Sequence, residues 1–469
     1  MTKKNLSVVS LFSGAGGFDH GFHQAGFETI LASELLETGS KTLASYFDME
    51  IIKTPNSPEF NGKRFVIQGD VREVDFSDYH FQPDVLIGGP PCQDFSRIRG
   101  GNEQGLNGGR GKLYAEFVRA LMFLQPKFFV FENVPGLVSS NEGKAYQTIQ
   151  NDFQNLTTLQ KSEIEKGIRK VPATEILSYH LLYNSIVYAP NIGVPQKRKR
   201  LIIVGIRQDL IKSLDEGAID ALEKRFSNSL DGVDNIFQKF PLTIIEAFEG
   251  KPLDKLGCKY RSVMLEYKEI ASSDEIPNSE DWRNQKWNNL TFNVVEDYYQ
   301  VCGLNFEEEF DEEEFSRAME AHSKILEHLG WLDKPVIKID DESDLRTSSQ
   351  VKERMYRIPP GENYSFVDNT QWKVAGHNIS LIYRRAEPLK PAWTVVAYGG
   401  GGTLGYHYER NRAQLSLRER ARIQTFSDDL KFSGKKSEIR AQIGEAVPPL
   451  LGKLIAEQIA LALIELDCR

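Results

Sequence analysis

Cysteine is scarce in this chain of 469 residues: there are four, Cys92, Cys258, Cys302 and Cys468, far apart and with no CxxC pair. That scarcity excludes a disulfide framework and a cysteine zinc site, so no metal is expected, and it fits a reducing compartment. No uninterrupted apolar run approaches transmembrane length, and no signal-peptide pattern opens the chain, so neither membrane insertion nor export is expected. No internal repeat is visible. Positive charge is not in excess either: the formal net charge of -9 argues against a simple basic nucleic-acid-binding surface. Much of the negative charge is local, however, in the run Glu307, Glu308, Glu309, Asp311, Glu312, Glu313 and Glu314, which has the pattern of a solvated helix face or insertion. Net charge therefore says little about any one cleft.

What is present is the composition of an ordinary globule, 40% apolar and 26% charged, with a length that suggests two or three domains. Short β-rich apolar runs alternate with helical patterns in the first part. The expected strands are Val8 to Phe12, Thr29 to Glu34, Phe65 to Gly69, Val85 to Gly88, Phe128 to Glu132, Leu182 to Tyr188 and Leu201 to Ile206. That alternation predicts an α/β fold with a mostly parallel sheet and ligands at the carboxyl ends of its strands. After Arg207 the rhythm is lost in a longer, more polar, irregular region, and all five tryptophans lie after that point. Near Pro391 the texture changes again, through Gly399 to Gly402, to helical patterns over Leu415 to Thr425 and Val447 to Leu466. The last stretch reads as a return to the first domain.

Several segments carry chemistry. Phe12, Ser13, Gly14, Ala15, Gly16 and Gly17 follow a strand and open a helix, so backbone amides there can approach a ligand closely. Glu34, ending the second strand, is placed to take ribose hydroxyls, and Asp70, beside Val71, suits an adenine amino group. Together they imply an adenosine-containing cofactor, although Asp19 stands where a dinucleotide fingerprint has its third glycine. Gly88-Gly89-Pro90-Pro91-Cys92-Gln93-Asp94-Phe95-Ser96 puts a thiol after two rigid prolines at the ligand end of the sheet, a poor setting for core packing and a good one for a nucleophile. The Gly-rich stretch from Arg97 to Gly111 has the composition of a lid over substrate. Glu132, in Glu132-Asn133-Val134-Pro135-Gly136, is a candidate acid whose pKa an apolar cleft would raise. In Gln196-Lys197-Arg198-Lys199-Arg200, strand alternation sends Arg198 and Arg200 to one face and Lys197 and Lys199 to the other, one pair for a base and the other for phosphates.

The order of these segments, continued by Arg418 to Phe426 (RERARIQTF) and Gly444 to Pro449 (GEAVPP), resembles the DNA cytosine-C5 methyltransferases of bacterial restriction-modification systems. The resemblance covers about the first 205 and last 80 residues. It implies a Rossmann-like S-adenosylmethionine-dependent methyltransferase fold with a second, irregular target-recognition domain. Residues 1–206 would be the cofactor-binding catalytic part, 207–390 the target-recognition domain and 391–469 the return to the catalytic domain. The stretch Pro391 to Tyr408 around Thr394 leads back into that core.

The resemblance further implies that Cys92 adds to C6 of a cytosine flipped out of duplex DNA, because C5 is too poor a nucleophile to attack a methylsulfonium directly. Glu132 would donate to N3 and the amino group, Arg198 would hold the base edge, and Arg200 would bind or orient nearby groups. Gln93, Ser96, Arg97, Lys197 and Lys199 would meet DNA. S-adenosylmethionine, leaving as S-adenosylhomocysteine, would be held by residues 12 to 17, Glu34, Leu35, Asp70, Val71, Pro91, Leu113, Glu445 and Val447. Two departures from the family pattern stand out: Glu445 replaces the usual Asn, and Leu35 and Leu36 follow Glu34 where an aromatic or acidic residue is more usual.

The expected partner is double-stranded DNA in the cytoplasm, at the nucleoid, with the enzyme a monomer and any cognate restriction endonuclease a separate chain. A transfer-RNA cytosine-C5 methyltransferase on the same catalytic core is the nearest alternative. A nicotinamide-dependent dehydrogenase would leave Cys92 and Glu132 without a common task. A catalytically silent adaptor is disfavoured by the Cys92, Glu132 and Arg198 set. No metal-binding carboxylate constellation for an embedded nuclease is evident.

Overall fold

The computed structural model describes residues 6–53, 62–91, 112–166, 171–212, 214–232, 235–336, 348–374, 382–399, 403, 405–412 and 414–467. Ten strands lie among them: β1 Leu6–Leu11, β2 Phe27–Glu34, β3 Glu50–Lys53, β4 Phe65–Gln68, β5 Val85–Gly88, β6 Phe128–Asn133, β7 Tyr179–Tyr188, β8 Gln196–Lys197, β9 Lys199–Arg207 and β10 Ala392–Trp393. Eight form one sheet in the order β3-β4-β2-β1-β5-β6-β9-β7. All are parallel except β9, which runs antiparallel to both β6 and β7. Each expected strand is present with its ends shifted by at most three residues. β3 was not expected; its four residues, EIIK, are too few and too charged at the ends to show a period.

The sheet is buried on both faces, which is why its strands read as continuous apolar runs. Val8, Val85, Ile87, Phe128, Val130, Ile202 and Val204 face one core. Their neighbours Val9, Leu86, Phe129, Phe131, Leu201 and Ile203 face the other, with the period of two that a pleat dictates. The second face is covered by helices Lys112–Leu124 and Lys144–Gln154. The first is covered by helices Gly17–Gln24, Glu216–Asp231 and the terminal Pro449–Asp467.

The terminal helix docks on Gly17–Gln24 at backbone distance: a Cβ on Gly17 would stand 2.2 Å from the Val447 carbonyl oxygen, and one on Gly21 2.3 Å from that of Pro449. The stretch Lys436–Leu466 meets the length and composition of a membrane span, contrary to the expectation from uninterrupted runs, which Lys453 and Glu457 break up. Leu450, Leu451, Ile455, Ile459 and Leu463 of that stretch are spent on the core.

The region from Gln208 to Lys390, expected to be irregular, consists largely of short capped helices. Thr243 and Glu246 close a capping box on Ile244–Glu249, Asn293 caps Val294–Cys302, and Asp311 caps Glu312–His328. Much of the acidic run lies in that last helix's first turn, where carboxylates complement the helix dipole, and Glu314 also pairs with Lys239 at 2.6 Å. Phe240, Tyr260, Tyr298, Phe315 and Trp331 of this region share one apolar cluster with Ala421, Ile423 and Phe426 of the C-terminal segment. The chain returns through β10, which pairs in parallel with β8.

Candidate active site

The carboxyl ends of β1, β2, β4, β5 and β6 open into one cavity of about 840 Å³, at the point where the strand order reverses beside β1. Its size suits a nucleoside-sized ligand. The turn after β1 is shaped for close approach. Phe12 holds a left-handed φ of 56° and Gly14 one of 55°. No atom lies within 4 Å of where a Gly14 Cβ would be, so the glycine leaves open space to a ligand. Phe12, Ser13, Gly14 and Gly17 line the cavity. Ala15 is 1% exposed inside the core, and Gly16 caps the following helix with its missing Cβ directed at Leu43, so these two do not reach it.

Glu34, at the end of β2, accepts from the Gly14 and Leu36 amides, each at 2.8 Å. Burial raises its pKa, and the nearby Glu445 carboxylate adds to that. Leu35, 64% exposed, and Leu36 stand at the cavity mouth. Asp70 lies on the lining beside Val71, and its bonds to Arg72 hold its pKa down. Pro91, Leu113, Glu445 and Val447 complete the expected lining. Asp19 is buried below the floor of the turn, accepting from Ser10 Oγ at 3.0 Å and Thr29 Oγ1 at 2.9 Å, and burial pushes its pKa up to about 6. Backbone amides, a ribose-height carboxylate and an apolar mouth are the donor set an adenosine cofactor requires.

Farther along the same cavity lies the cluster expected to handle the base. Glu132, 8% exposed, forms an ion pair with Arg200 at 2.8 Å. A Cβ on Gly89 would stand 2.6 Å from Glu132 Oε2, so any larger residue in the loop after β5 would displace the carboxylate from this position. Asn133 Nδ2 donates to the Pro90 carbonyl at 2.9 Å and fixes that loop. Cys92, Gln93, Ser96, Arg97 and the Gly-rich stretch to Gly111 lie outside the described residues; Pro91, the last described residue before them, is on the cavity wall.

Arg198 and Arg200 both line the cavity while Lys197 and Lys199 are exposed, the alternation expected. Their partners differ from the expected division of labour. Arg198, expected to hold the base edge, is 1% exposed and donates to the carbonyls of Gly444 at 3.2 Å and Ala446 at 2.8 Å. Burial, with the charge of Arg200, lowers its pKa to about 9. Arg200 is the guanidinium that reaches Glu132. Between β8 and β9 the Arg198 amide turns back to the Gln196 carbonyl at 2.8 Å. Lys197 lines a neighbouring cavity of about 420 Å³ with Arg384 and Trp393, and Lys199 lies over the Tyr188 ring.

Residues not singled out from the sequence hold this cluster in place. Gln196 accepts from the Val395 amide at 2.9 Å and donates to the Ile423 carbonyl at 3.2 Å. Gln424 donates to the Ala446 carbonyl at 2.6 Å, and Arg420 to that of Val396 at 2.9 Å. Arg422, fully buried, reaches the Ala247 carbonyl at 2.9 Å and pairs with Asp428. Three residues of the RERARIQTF motif thus brace the returning stretch at Val396, the cavity-lining segment at Ala446 and the helical region at Ala247 from one helix, Leu417–Ile423, and the turn after it.

Comparison with known proteins gives the family. The chain matches the family described as C-5 cytosine-specific DNA methylase over residues 6–461. It is 46% identical over 464 residues to the DNA (cytosine-5-)-methyltransferase M.ApeKI of Aeropyrum pernix, covering 97% of this chain and 98% of that one. It is 29% identical to the Type II methyltransferase M.NgoFVII of Neisseria gonorrhoeae, covering 94% and 83% respectively. Among solved structures, a prophage-encoded E. coli protein described as a DNA modification methyltransferase shares the fold, with a TM-score of 0.53 at 21% identity over 98% of this chain and 99% of that one. The chain belongs to the C-5 cytosine-specific DNA methylases.

Proposed function

We propose that the protein methylates C5 of a cytosine flipped out of a specific duplex DNA sequence, using S-adenosylmethionine and a covalent bond from Cys92 to C6. The observation that carries this reading is the shared cavity. Glu34 and the Gly14 turn stand at one end, the Glu132–Arg200 pair at the other, and Pro91, the neighbour of Cys92 in sequence, is on the wall they share.

When bound, the cofactor supplies an electrophilic methyl carbon, and Glu34, Leu35, Asp70, Val71, Glu445 and Val447 are the residues that hold it. Attack of the Cys92 thiolate on C6 breaks the 5,6 double bond and moves its electrons towards C5 and N3, which makes C5 nucleophilic. Glu132 donates to N3 as negative charge develops there, and Arg200, paired with it, orients the carboxyl group and faces the base edge. Arg198 acts as a positioning residue that ties the final cofactor-facing segment to the base end. After methylation the C5 proton is lost to solvent, the 5,6 double bond re-forms and the Cys92–C6 bond breaks.

Lys197 and Lys199 meet phosphates, residues 207–390 read the target sequence, and the working place is the cytoplasm. A cognate restriction endonuclease, where there is one, is a separate chain. The test is to express wild type and Cys92→Ala from a plasmid in a host lacking cytosine methylation and to bisulfite-sequence that plasmid. Wild type protects one sequence context and the variant none. Absence of protected cytosines with wild type overturns the reading.

A further inference from the structure

Glu445 occupies a junction within the cavity. On its two sides Gly444 and Ala446 give their carbonyls to Arg198, at the end where Glu132 and Arg200 stand. Glu445 itself lines the cavity. It accepts from the Tyr398 hydroxyl, a bond that with burial pushes that phenol up to about 12, and its charge is felt by Glu34 at the ribose end. Glu445 thus lies between the part of the cavity assigned to ribose and the part assigned to the base, where a group passing from one ligand to the other must be.

Among the described residues the charges there do not balance. The described cavity-lining cations are Arg72, Arg198 and Arg200. Arg72 is joined to Asp70, Arg198 to two carbonyls and Arg200 to Glu132. Glu34, whose oxygens accept from the Gly14 and Leu36 amides, and Glu445 share this cavity without a cationic partner among the described residues. Two carboxylates so placed favour a ligand that brings a positive charge between them.

We propose that Glu445 is a specificity-determining residue that, with Glu34, selects for positive charge on the cofactor's sulfur and so holds the methyl donor in preference to the spent thioether. The proposal rests on the S-adenosylmethionine reading. The two ligands carry the same amino-acid and adenosine groups and differ by one methyl group and one unit of charge, so a comparison of their affinities isolates the sulfur. Transfer of the methyl group removes the charge that the two carboxylates attract, which favours exit of the product.

The test is calorimetric titration of wild type, Glu445→Gln and Glu445→Asn with three ligands: S-adenosylmethionine, S-adenosylhomocysteine, and an analogue carrying a protonated amine in place of the methylsulfonium. Because Glu445 is exposed, solvent screens it, and the expected loss for each neutral variant is about threefold to tenfold for the two cationic ligands. The thioether changes by less than about twofold on the same reasoning, and the difference shrinks at high salt. Equal weakening of all three ligands overturns the proposal, since it would place Glu445 at the shared amino group. Unchanged affinities overturn it as well. Failure of wild type to bind any of the three overturns the cofactor reading itself, a distinguishable result.

Discussion

Glu132 and Glu246 are both buried glutamates with a basic partner, yet they belong to parts of the molecule that treat charge in opposite ways. Glu132 ends a strand at the open edge of the sheet, pairs with Arg200, and keeps one side towards a cavity. Glu246 sits in the helical region, sealed among the Thr243 amide and hydroxyl, the Leu253 amide and the His322 ring. His322 is fully buried, with Nδ1 at 2.8 Å from Glu246 and Nε2 at 2.9 Å from the Phe240 carbonyl. Only the doubly protonated ring donates from both nitrogens, so this is a closed ion pair. Arg385 is likewise spent on carbonyls, including those of Ile358 and His407. One region directs its polar groups outward at a ligand; the other uses them to fix a single packing.

The largest effects that sharpen this comparison are expected at the sheet edge. Glu132→Gln and Arg200→Ala should each lower turnover by about 10²- to 10⁴-fold, with the melting temperature and cofactor affinity nearly unchanged. A large loss of stability in either would erase the contrast. In the helical region the reverse is expected: His322→Ala leaves Glu246 buried without its cation and should cost about 3–5 kcal/mol in urea unfolding, while folded protein at low temperature keeps its turnover.

The pH dependence follows with a definite sign. Burial works to lower the His322 pKa, but Glu246 outweighs it and the net shift is upward from 6.5. The pair's stabilisation is therefore complete below about pH 6.5 and is lost as pH rises through the raised folded value. That loss should vanish in the variant.

Arg422 joins the two regions, so Arg422→Ala should lower both stability, by about 2–3 kcal/mol, and turnover; an effect on only one would show that the regions are less coupled than their hydrogen bonds indicate. The smallest effect is expected at Asp19→Asn. The folded state holds the Asp19 proton up to about pH 6 whereas the unfolded chain releases it near 3.8, so wild-type stability falls across that interval and stays lower above it. The amide keeps partners in Ser10 and Thr29 without the burden of charge, and a gain of about 1–2 kcal/mol at pH 8 should appear in urea midpoints.

The contrast also explains what could be read from sequence. Strands buried on both faces leave long apolar runs, and the ligand end of a parallel sheet is set by its connectivity, so β1, β2, β5, β6 and the residues at their ends were legible. The turn at Arg198 was not, because a break between two-residue β8 and β9 leaves no pattern. Gln196 grips the Ile423 carbonyl across 227 residues of chain and Gln424 that of Ala446 across 22, and an amide in sequence gives no hint of its acceptor. In the helical region Thr243, Asn293 and Asp311 are of the residue types that cap helices. They were masked because helices such as Ile244–Glu249 and Val294–Cys302 are too short to establish a 3.6-residue period.

The path of β9 has a consequence for exchanging the helical region between relatives. β9 runs antiparallel to its neighbours, so the chain enters the helical region at Arg207, at the end of the sheet remote from the cavity, and comes back at Ala392, beside Gln196 at the cavity end. Nine strand residues separate those points, a span of roughly 30 Å. The insertion is therefore a strap fastened at opposite ends of the sheet. A transplanted segment must match that reach and carry the Ala247 carbonyl that Arg422 seeks, or the recipient will hold it by one end alone.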